Sequence, residues 1–238
     1  MGYPIEMIDK ETALYSLIGE SAIESKKDAL FNDYFKASDV NAKMMPLNIR
    51  MDDIGFFIFG FKDSQIKAGY FQQEYWARLY DILDDMNEEA KVCGIVDTID
   101  VIAGKNIAYL SQGRAAESLL NTKGKKVGIY GNTASVKSIL HHLKAKEIVL
   151  YDEIVENCAE LMQYIPDGIS VDIERVQDGA IMIEDCDIFI DSLQDKDFTY
   201  HDSVQVLELT YHDNKHLNFN DIEKEIAKIK TKEWTENG

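Results

Sequence analysis

The sequence predicts an α/β protein whose second half forms a doubly wound, largely parallel sheet and whose first half forms a separate α/β domain. Two observations predict this class. Short apolar runs alternate with helical segments along the second half, which is typical of βαβ units and of strands buried on both faces of a sheet. The first half alternates in the same way, and no repeat or low-complexity segment interrupts the chain.

The second half contains five predicted strands, separated by helical segments and polar turns. These strands are 126–130, 147–151, 170–173, 187–191 and 204–210. Apolar residues at helical spacing predict helices over "ASVKSILHHL" and "IVENCAELMQYI", and a charged amphipathic helix over 221–234. Together these elements predict one parallel sheet with helices between its strands.

The first half begins with a predicted strand, "ALYSLIG", a helix, "KKDALFNDYFKA", and a second strand, "AKMMPLNI". The wholly apolar stretch "GFFIFGF" is predicted to be a buried strand. The spacing of apolar residues in "YFQQEYWARLYDILDD" predicts a helix. Two short strands are predicted around the Ala103-Gly104 turn of "VDTIDVIAGKNIAYL".

Composition excludes several classes of protein. The 238 residues can bury the core of one large domain or of two small ones. A net charge of -18, from 43 acidic and 25 basic residues, repels a phosphate backbone, so nucleic acid is not an expected partner. No apolar run approaches the ~18–20 residues of a membrane span, and the first residues lack a secretory signal pattern. We therefore expect a cytoplasmic protein that does not bind a membrane.

The cysteines and histidines offer little chemistry. Cys93, Cys158 and Cys186 are scattered singly, which is typical of reduced, buried thiols. The histidines lack the spacing of metal ligands, and the adjacent pair His141 and His142 point to different sides of a predicted helix. No metal site is predicted.

The turn after the strand at 126–130 resembles a dinucleotide-binding loop. It consists of Gly131, Asn132, Thr133 and Ala134. Gly131 can make the tight turn and Ala134 allows close helix packing, but Thr133 narrows the space for a phosphate. Asp152, at the end of the next strand, could accept bonds from a ribose diol and would repel a 2′-phosphate, which favours NAD over NADP. Equally, this is an ordinary βαβ turn in which Asp152 caps a helix and no cofactor binds.

Three longer stretches carry a family resemblance. They are "GESAIESKKDALFNDYF" from Gly19, "GFFIFGFK" ending at Lys62, and "AKVCGIVDTIDVIAGKNIAYLSQGRAAESL" from Ala90. In order and spacing they resemble the shikimate dehydrogenase motifs GxPIxHSLSPxxHNxxF, GxNVTIPxK and AxxIGAVNTIVxxxGxxxGYNTDGxGF. The resemblance covers roughly residues 12–160.

The resemblance implies two domains. An N-terminal substrate domain would cover residues 1–110 and be joined by a C-terminal helix within 217–238. A Rossmann-like dinucleotide-binding domain would cover 111–216. The implied activity is that of an NAD(P)-dependent oxidoreductase of a small hydroxy or keto carbocyclic acid, in aromatic amino acid biosynthesis.

The resemblance also implies site residues. The family's catalytic lysine falls on Lys62, and its catalytic aspartate falls on Gln112. The substrate-binding positions fall on Ser25, Lys27, Ile58, Asp97 and Tyr109. Glutamine carries no charge and cannot take a proton, and loss of one such group commonly costs ~10²–10⁴ in rate. We therefore expect little or no oxidation of shikimate itself.

Alternatives remain open at this stage. Lys62 could be a solvated lysine without a catalytic role. The chain could be a non-catalytic relative (a pseudoenzyme) that binds a small ligand, regulates, or holds a partner protein. In either case we expect a small-molecule ligand and a monomer or homodimer.

Overall fold

The computed structural model describes residues 8–83, 85–177, 179–211 and 215–236. It confirms the predicted fold class, a mixed α/β protein with parallel sheets. The chain divides into two compact units. The first contains the residues up to Leu110 and those from Ala227 onward, and the second contains Ser111–Ile226. No helix in the described part of the chain is both long and apolar enough to cross a bilayer.

The first unit is built on a five-stranded sheet. Its strands are β1 (Ala13–Gly19), β2 (Ala42–Asn48), β3 (Ile66–Phe71), β4 (Thr98–Ile102) and β5 (Lys105–Tyr109). Its helices are α1 (Ala22–Ser25), α2 (Asp28–Ala37), α3 (Ile54–Phe61), α4 (Trp76–Ile82) and α5 (Glu88–Cys93). The strand order is β2-β1-β3-β4-β5, and β4 runs in the direction opposite to the other four strands. The carboxyl ends of the other strands therefore share one edge of the sheet.

The prediction of a strand over "GFFIFGF" is wrong, because these residues form α3. Ile54, Ile58 and Phe61 are buried at helical spacing, while the remaining positions of the helix are exposed or half-buried. The strand follows instead as β3, whose last two residues we had predicted to begin a helix. Gly69 lies on β3 in a crowded place, since a Cβ there would lie 2.8 Å from Ile18 Cδ1.

The second unit contains a six-stranded sheet. Its elements are α6 (Gln112–Leu120), β6 (Lys126–Tyr130), α7 (Ala134–His142), β7 (Glu147–Asp152), α8 (Val155–Leu161), β8 (Ser170–Arg175), β9 (Ile181–Ile183), β10 (Ile188–Asp191), β11 (Phe198–Tyr200), β12 (Gln205–Glu208) and β13 (Leu217–Asn218). The order β13-β12-β10-β6-β7-β8, with every pair parallel, confirms the predicted sheet. β9 and β11 form a separate two-stranded sheet that was not predicted.

The last helix, α9 (Phe219–Glu236), contributes its final turns to the first unit. Trp234 stacks on Tyr15 at 4.8 Å between ring centroids, and its indole N–H donates to Asp100 Oδ1 at 2.8 Å. Lys230 is only 1% exposed, with its ammonium 3.5 Å from Asp100 and 3.1 Å from Glu233. A buried charge is tolerated only when it is paired, so these contacts fix the helix end on the sheet.

Candidate functional site

The carboxyl edge of the first sheet collects several of the predicted residues. Gly19, Phe71 and Tyr109 end their strands there. Asp97 precedes β4 at the same edge: its carbonyl accepts the Phe71 N–H at 2.8 Å and its N–H donates to the Tyr109 carbonyl at 3.1 Å. The carboxyl ends of parallel strands are the usual ligand-binding edge of such sheets. Asp97 and Tyr109 are therefore brought together.

Asp97 and Tyr109 differ in what they can do. Asp97 is fully buried, and its Oδ1 accepts the Thr98 hydroxyl at 2.9 Å. Burial raises the pKa of Tyr109, and the nearby carboxylates of Asp100 and Glu233 raise it further. Tyr109 is therefore a neutral phenol at physiological pH, able to donate or accept a hydrogen bond but not to act as a base.

Ser25 and Lys27 lie in the segment that follows β1, where Ser25 ends α1 and Lys27 precedes α2. The Ser25 hydroxyl donates to the Ala22 carbonyl at 2.7 Å and accepts the Lys27 N–H at 3.3 Å. This serine therefore holds the turn between the two helices. To donate to a substrate carboxylate, its hydroxyl would have to release Ala22. Lys27 is half-buried and precedes α2.

Lys62 and Ile58 lie elsewhere. Lys62 is exposed directly after α3, and the Ile58 carbonyl accepts the Asn106 side-chain amide at 2.8 Å. Together with Lys105, these residues line an open groove of about 540 Å³. Lys105 begins β5 and Tyr109 ends it, a separation of ~13 Å at ~3.3 Å per residue. The structure thus places Lys62 and Ile58 near the other edge of the sheet. Their assignment depended on a predicted strand, and that segment is helix α3.

Residues after β3 were missed by sequence reasoning. Gln72 N–H donates to the Ile18 carbonyl, and Glu74 Oε1 accepts the Glu20 N–H at 2.9 Å. The Gln72 side chain fills the space at Gly19, where a Cβ would lie 1.8 Å from its Oε1. The sequence has no lysine between Phe71 and Lys91. The sequence signal for a strand that ends here was the aromatic end of "IKAGYF", followed by polar residues.

In the second unit, the turn between β6 and α7 requires glycine. Gly131 has φ +93, and a Cβ there would lie 2.5 Å from Ser192 Oγ. Ser192 is held in place because its hydroxyl and its N–H both donate to the Tyr130 carbonyl, at 2.8 and 3.1 Å. The Thr133 hydroxyl accepts the Val136 N–H at 3.3 Å, so the first turn of α7 is already capped. That cap uses an N–H group that could otherwise bind an anion.

Asn132 turns away from the loop towards α8. Its amide donates to Glu160 Oε2 at 3.1 Å and to the Asn157 carbonyl at 3.4 Å. Its buried Oδ1 has no hydrogen-bond partner within the described ranges. Ala134 begins α7 and is half-buried, as the close packing of this helix requires.

Asp152 ends β7 and its side chain holds the turn that leads into α8. It is 7% exposed, and its Oδ1 accepts the Ile154 N–H at 2.9 Å and the Asn157 amide at 3.0 Å. The adjacent Glu153 forms an ion pair with Lys196. Arg175 lies opposite Asp152 in the register of β7 and β8, and its Nε donates to the Glu153 carbonyl at 3.2 Å. Glu153 is therefore the acid of this pair that has a basic partner.

Gln112 begins α6 and is fully buried. Its Oε1 accepts the Ser135 hydroxyl at 2.7 Å, whereas its Nε2 lacks a hydrogen-bond partner in the part of the chain described. An unsatisfied buried donor costs ~1–3 kcal/mol, so a ligand acceptor at this amide would relieve that cost. Helix α6 packs closely on α7, because the Gly113 N–H donates to Ser138 Oγ at 2.9 Å.

Acidic residues occupy the carboxyl ends of β10 and β12. Burial raises the pKa of Asp191, although the N–H groups of Gln194 and Leu193 bond its carboxylate. The Gln194 amide also donates to Glu208 at 2.6 Å. Among the described residues, no group of three or more His, Cys, Asp or Glu is placed to hold a metal ion.

Several known proteins whose sequences are similar to this chain are shikimate dehydrogenases. No protein-family model matches the chain. The chain is 26% identical over 163 residues to the shikimate dehydrogenase (NADP(+)) of Pyrococcus furiosus, covering 66% of this chain and 60% of the relative. It is 30% identical over 145 residues to that of Clostridium perfringens strain 13, covering 58% and 54%. The matched stretches thus span less than two thirds of these relatives.

Solved structures share the fold over nearly the whole chain. A shikimate dehydrogenase crystallised with NADP+ matches with a TM-score of 0.74 at 20% identity, covering 98% of this chain and 93% of that one. A Listeria monocytogenes shikimate 5-dehydrogenase in complex with shikimate and NAD matches with a TM-score of 0.74 at 15% identity, covering 97% and 94%. The solved structures show the same fold, and the sequence relatives at modest identity are consistent with a divergent member of the shikimate dehydrogenase family.

Proposed function

We propose that this protein is an oxidoreductase of the shikimate dehydrogenase type, which exchanges hydride between NAD and a small hydroxy or keto carbocyclic acid other than shikimate. The observation that carries the proposal is the Gly131 turn at the start of α7, with Asp152 ending the next parallel strand. This is the arrangement of a dinucleotide-binding crevice. The names of the relatives and the two ligand-bound structures support the same chemistry.

The cofactor would use the residues around that turn. Gly131 makes the tight turn that leads into α7, and the N-terminus of α7 favours an anion. Asp152 keeps one carboxylate oxygen for a ribose diol, while the other accepts the Ile154 N–H and the Asn157 amide. The bound nicotinamide would supply the hydride acceptor.

Charge near Asp152 favours NAD. Two like charges ~4 Å apart near a surface repel by about 4 kcal/mol before screening, which opposes the 2′-phosphate of NADP. Lys196 and Arg175 reduce this repulsion without removing it, because Lys196 is paired with Glu153. We expect NAD to bind weakly, because the Thr133 side chain narrows the space for its phosphates. We expect NADP to bind more weakly still.

The substrate would bind at the carboxyl edge of the first sheet. Lys27 and Ser25 would face its carboxylate, and Asp97 and Tyr109 would bond its ring hydroxyls. This donor and acceptor set differs from the family motifs, and polar pockets reject substrates that leave buried groups unpaired. The substrate would therefore differ from shikimate.

A second candidate is a non-catalytic relative that binds the same class of ligand without turning it over. Two observations favour it. The catalytic lysine of the family motif follows a strand, but no lysine lies between the end of β3 and Lys91. The position of the catalytic aspartate is the uncharged Gln112. Neither Gln112 nor the neutral Tyr109 can take the hydroxyl proton during hydride transfer.

Titration of NADH and NADPH by calorimetry tests both candidates, followed by a screen of ring hydroxy acids for NAD reduction. NADH binding with turnover of one acid supports the oxidoreductase. NADH binding without turnover of any acid supports the non-catalytic relative. If neither dinucleotide binds, the cofactor site is refuted. A Thr133→Gly variant should tighten NADH binding, and tight NADPH binding by the unaltered protein would contradict the stated preference.

A further inference from the structure

The open groove lined by Ile58, Lys62 and Lys105 has no part in the proposed function. It is formed within the first unit, by residues of α3, of the end of α4 with the segment after it, and of the start of β5. Its volume of about 540 Å³ lies within the ~300–1,000 Å³ of small-molecule sites. Lys105 lies ~13 Å along β5 from Tyr109, so the groove is separate from the proposed substrate edge.

Two hydrogen bonds fix the walls of this groove on β5. The Asn106 side-chain amide donates to the Ile58 carbonyl at 2.8 Å, which ties α3 to the strand. The Asp85 carbonyl accepts the Ala108 N–H at 2.9 Å, which ties the segment after α4 to the same strand. Because both walls are held by one strand, the groove exists before a ligand arrives, as is usual for binding sites of small molecules.

Most of the uncharged lining is apolar. Ile58 and Leu83 are buried, Ile82 is half-buried, and Phe59 is 78% exposed. A ligand with an apolar body would remove part of this lining from water, and the Phe59 ring has the most surface to lose. The groove therefore favours a ligand with an apolar group over a wholly polar one.

Three charged side chains line the same groove. Lys62, Lys105 and Asp85 are all exposed. Among the residues that the structure describes, none of the three side chains forms an ion pair. Two cations and one anion give this lining a positive balance in a chain whose net charge is -18. The lysines therefore attract a carboxylate, while Asp85 attracts a cation.

An unpaired acceptor completes the set. Asn106 Oδ1 is buried without a hydrogen-bond partner within the described ranges. The amide cannot be turned around, because its other end faces the Ile58 carbonyl, which only accepts. A buried acceptor without a donor costs free energy, so a ligand N–H beside Asn106 would relieve that cost.

We propose that this groove binds a free amino acid with an apolar side chain, as its zwitterion. The ligand carboxylate pairs with Lys62 and Lys105, its ammonium donates to Asp85 and to Asn106 Oδ1, and its side chain packs on Phe59. Every charged group of the lining and the unpaired acceptor then have partners. A carboxylate without an ammonium would satisfy the lysines but leave Asp85 and Asn106 Oδ1 unpaired beside a negative charge.

Titration of the full chain with L-phenylalanine, followed by amide NMR spectra, tests this site without any dinucleotide. We expect a dissociation constant of roughly 0.1–1 mM, with shifts concentrated in α3 and at the start of β5. L-serine, which lacks an apolar side chain, should bind about tenfold more weakly or less. No saturable shift up to about 10 mM, shifts confined to the other edge of the sheet, or equal binding of L-serine would each overturn the proposal.

A carboxylate-only analogue tests the zwitterion separately. Asp85→Asn should weaken L-phenylalanine binding about three- to fivefold, but should leave 3-phenylpropionate binding unchanged or tighter, because that analogue has no ammonium. Lys105→Gln should weaken both ligands, and Lys67→Gln, at an exposed position of β3 outside the groove, is its control. The altered side chains are exposed, so circular dichroism should show an unchanged fold. If Asp85→Asn affects both ligands alike, or Lys105→Gln affects neither, the proposal is wrong.

Discussion

Replacing Gly131 with alanine tests the turn between β6 and α7. The residue has φ +93, a conformation that costs an L-residue ~1–2 kcal/mol. The new Cβ would also lie 2.5 Å from Ser192 Oγ and 2.7 Å from Leu193 Cγ, and overpacking of that kind costs ~1–3 kcal/mol. The variant should therefore lose about 2–5 kcal/mol in the free energy of unfolding, by the sum of these two effects.

Gly168 provides the matched control for the urea titration that measures this loss. Its φ is +87, but a Cβ there would meet nothing within 4 Å. Gly168→Ala should therefore cost only the conformational part, about 1–2 kcal/mol. The difference between the two variants measures the packing of Ser192 and Leu193 on the turn. If Gly131→Ala costs no more than Gly168→Ala, residues 192–193 do not close over the turn as described.

Three further predictions concern buried groups. Lys230→Ala should lose about 1–3 kcal/mol in urea unfolding because the partly exposed carboxylates of Asp100 and Glu233 lose their shared cation, whereas Lys232→Ala, on the exposed side of α9, should change little. Burial raises the pKa of Tyr15 to about 12, so its contribution to stability should be intact below pH 10 and lost as pH rises through 12; a Tyr15→Phe variant that shows the same alkaline loss would contradict this. Burial also raises the pKa of Cys158 and of Cys186 to about 11, so a thiol reagent at pH 8 should label them only after unfolding, and fast labelling of the native protein would contradict their burial.

The parallel sheet of the second unit could be predicted because each strand is a short apolar run bounded by polar turns. Strand 147–151 is one example, and it forms β7 with one residue added. β9 and β11 escaped prediction because each has only three residues, with half-buried positions that give no clear pattern.

Helix α3 could not be predicted from its pattern. Every residue of "IGFFIFGF" is apolar or glycine, so no polar residue marks the solvent face and a period cannot be read. Phe56 and Phe59 also break the expectation that large apolar side chains are buried. The residues against which this segment packs decide between helix and strand, and those residues are distant in sequence.

That error bears on where the candidate site residues were expected to lie. Asp97 and Tyr109 flank the β4–β5 hairpin, whose turn at Ala103-Gly104 is clear in the sequence, and they lie at one edge of the sheet. Lys62 was expected at the end of a strand, but it follows helix α3. Gln72 was overlooked because β3 was not recognised.

The pairing of β6 has a consequence for how the chain folds. Ile188 on β10 pairs with Val127 on β6, 61 positions earlier in the sequence, and the other edge of β6 pairs with the nearer β7. Contacts of such long range slow folding. At ~5–20 residues per second, a ribosome needs about 3–12 s to supply β10 after β6. During that time the edge of β6 that will pair with β10 lacks its native partner, so it can pair with other strands and aggregate.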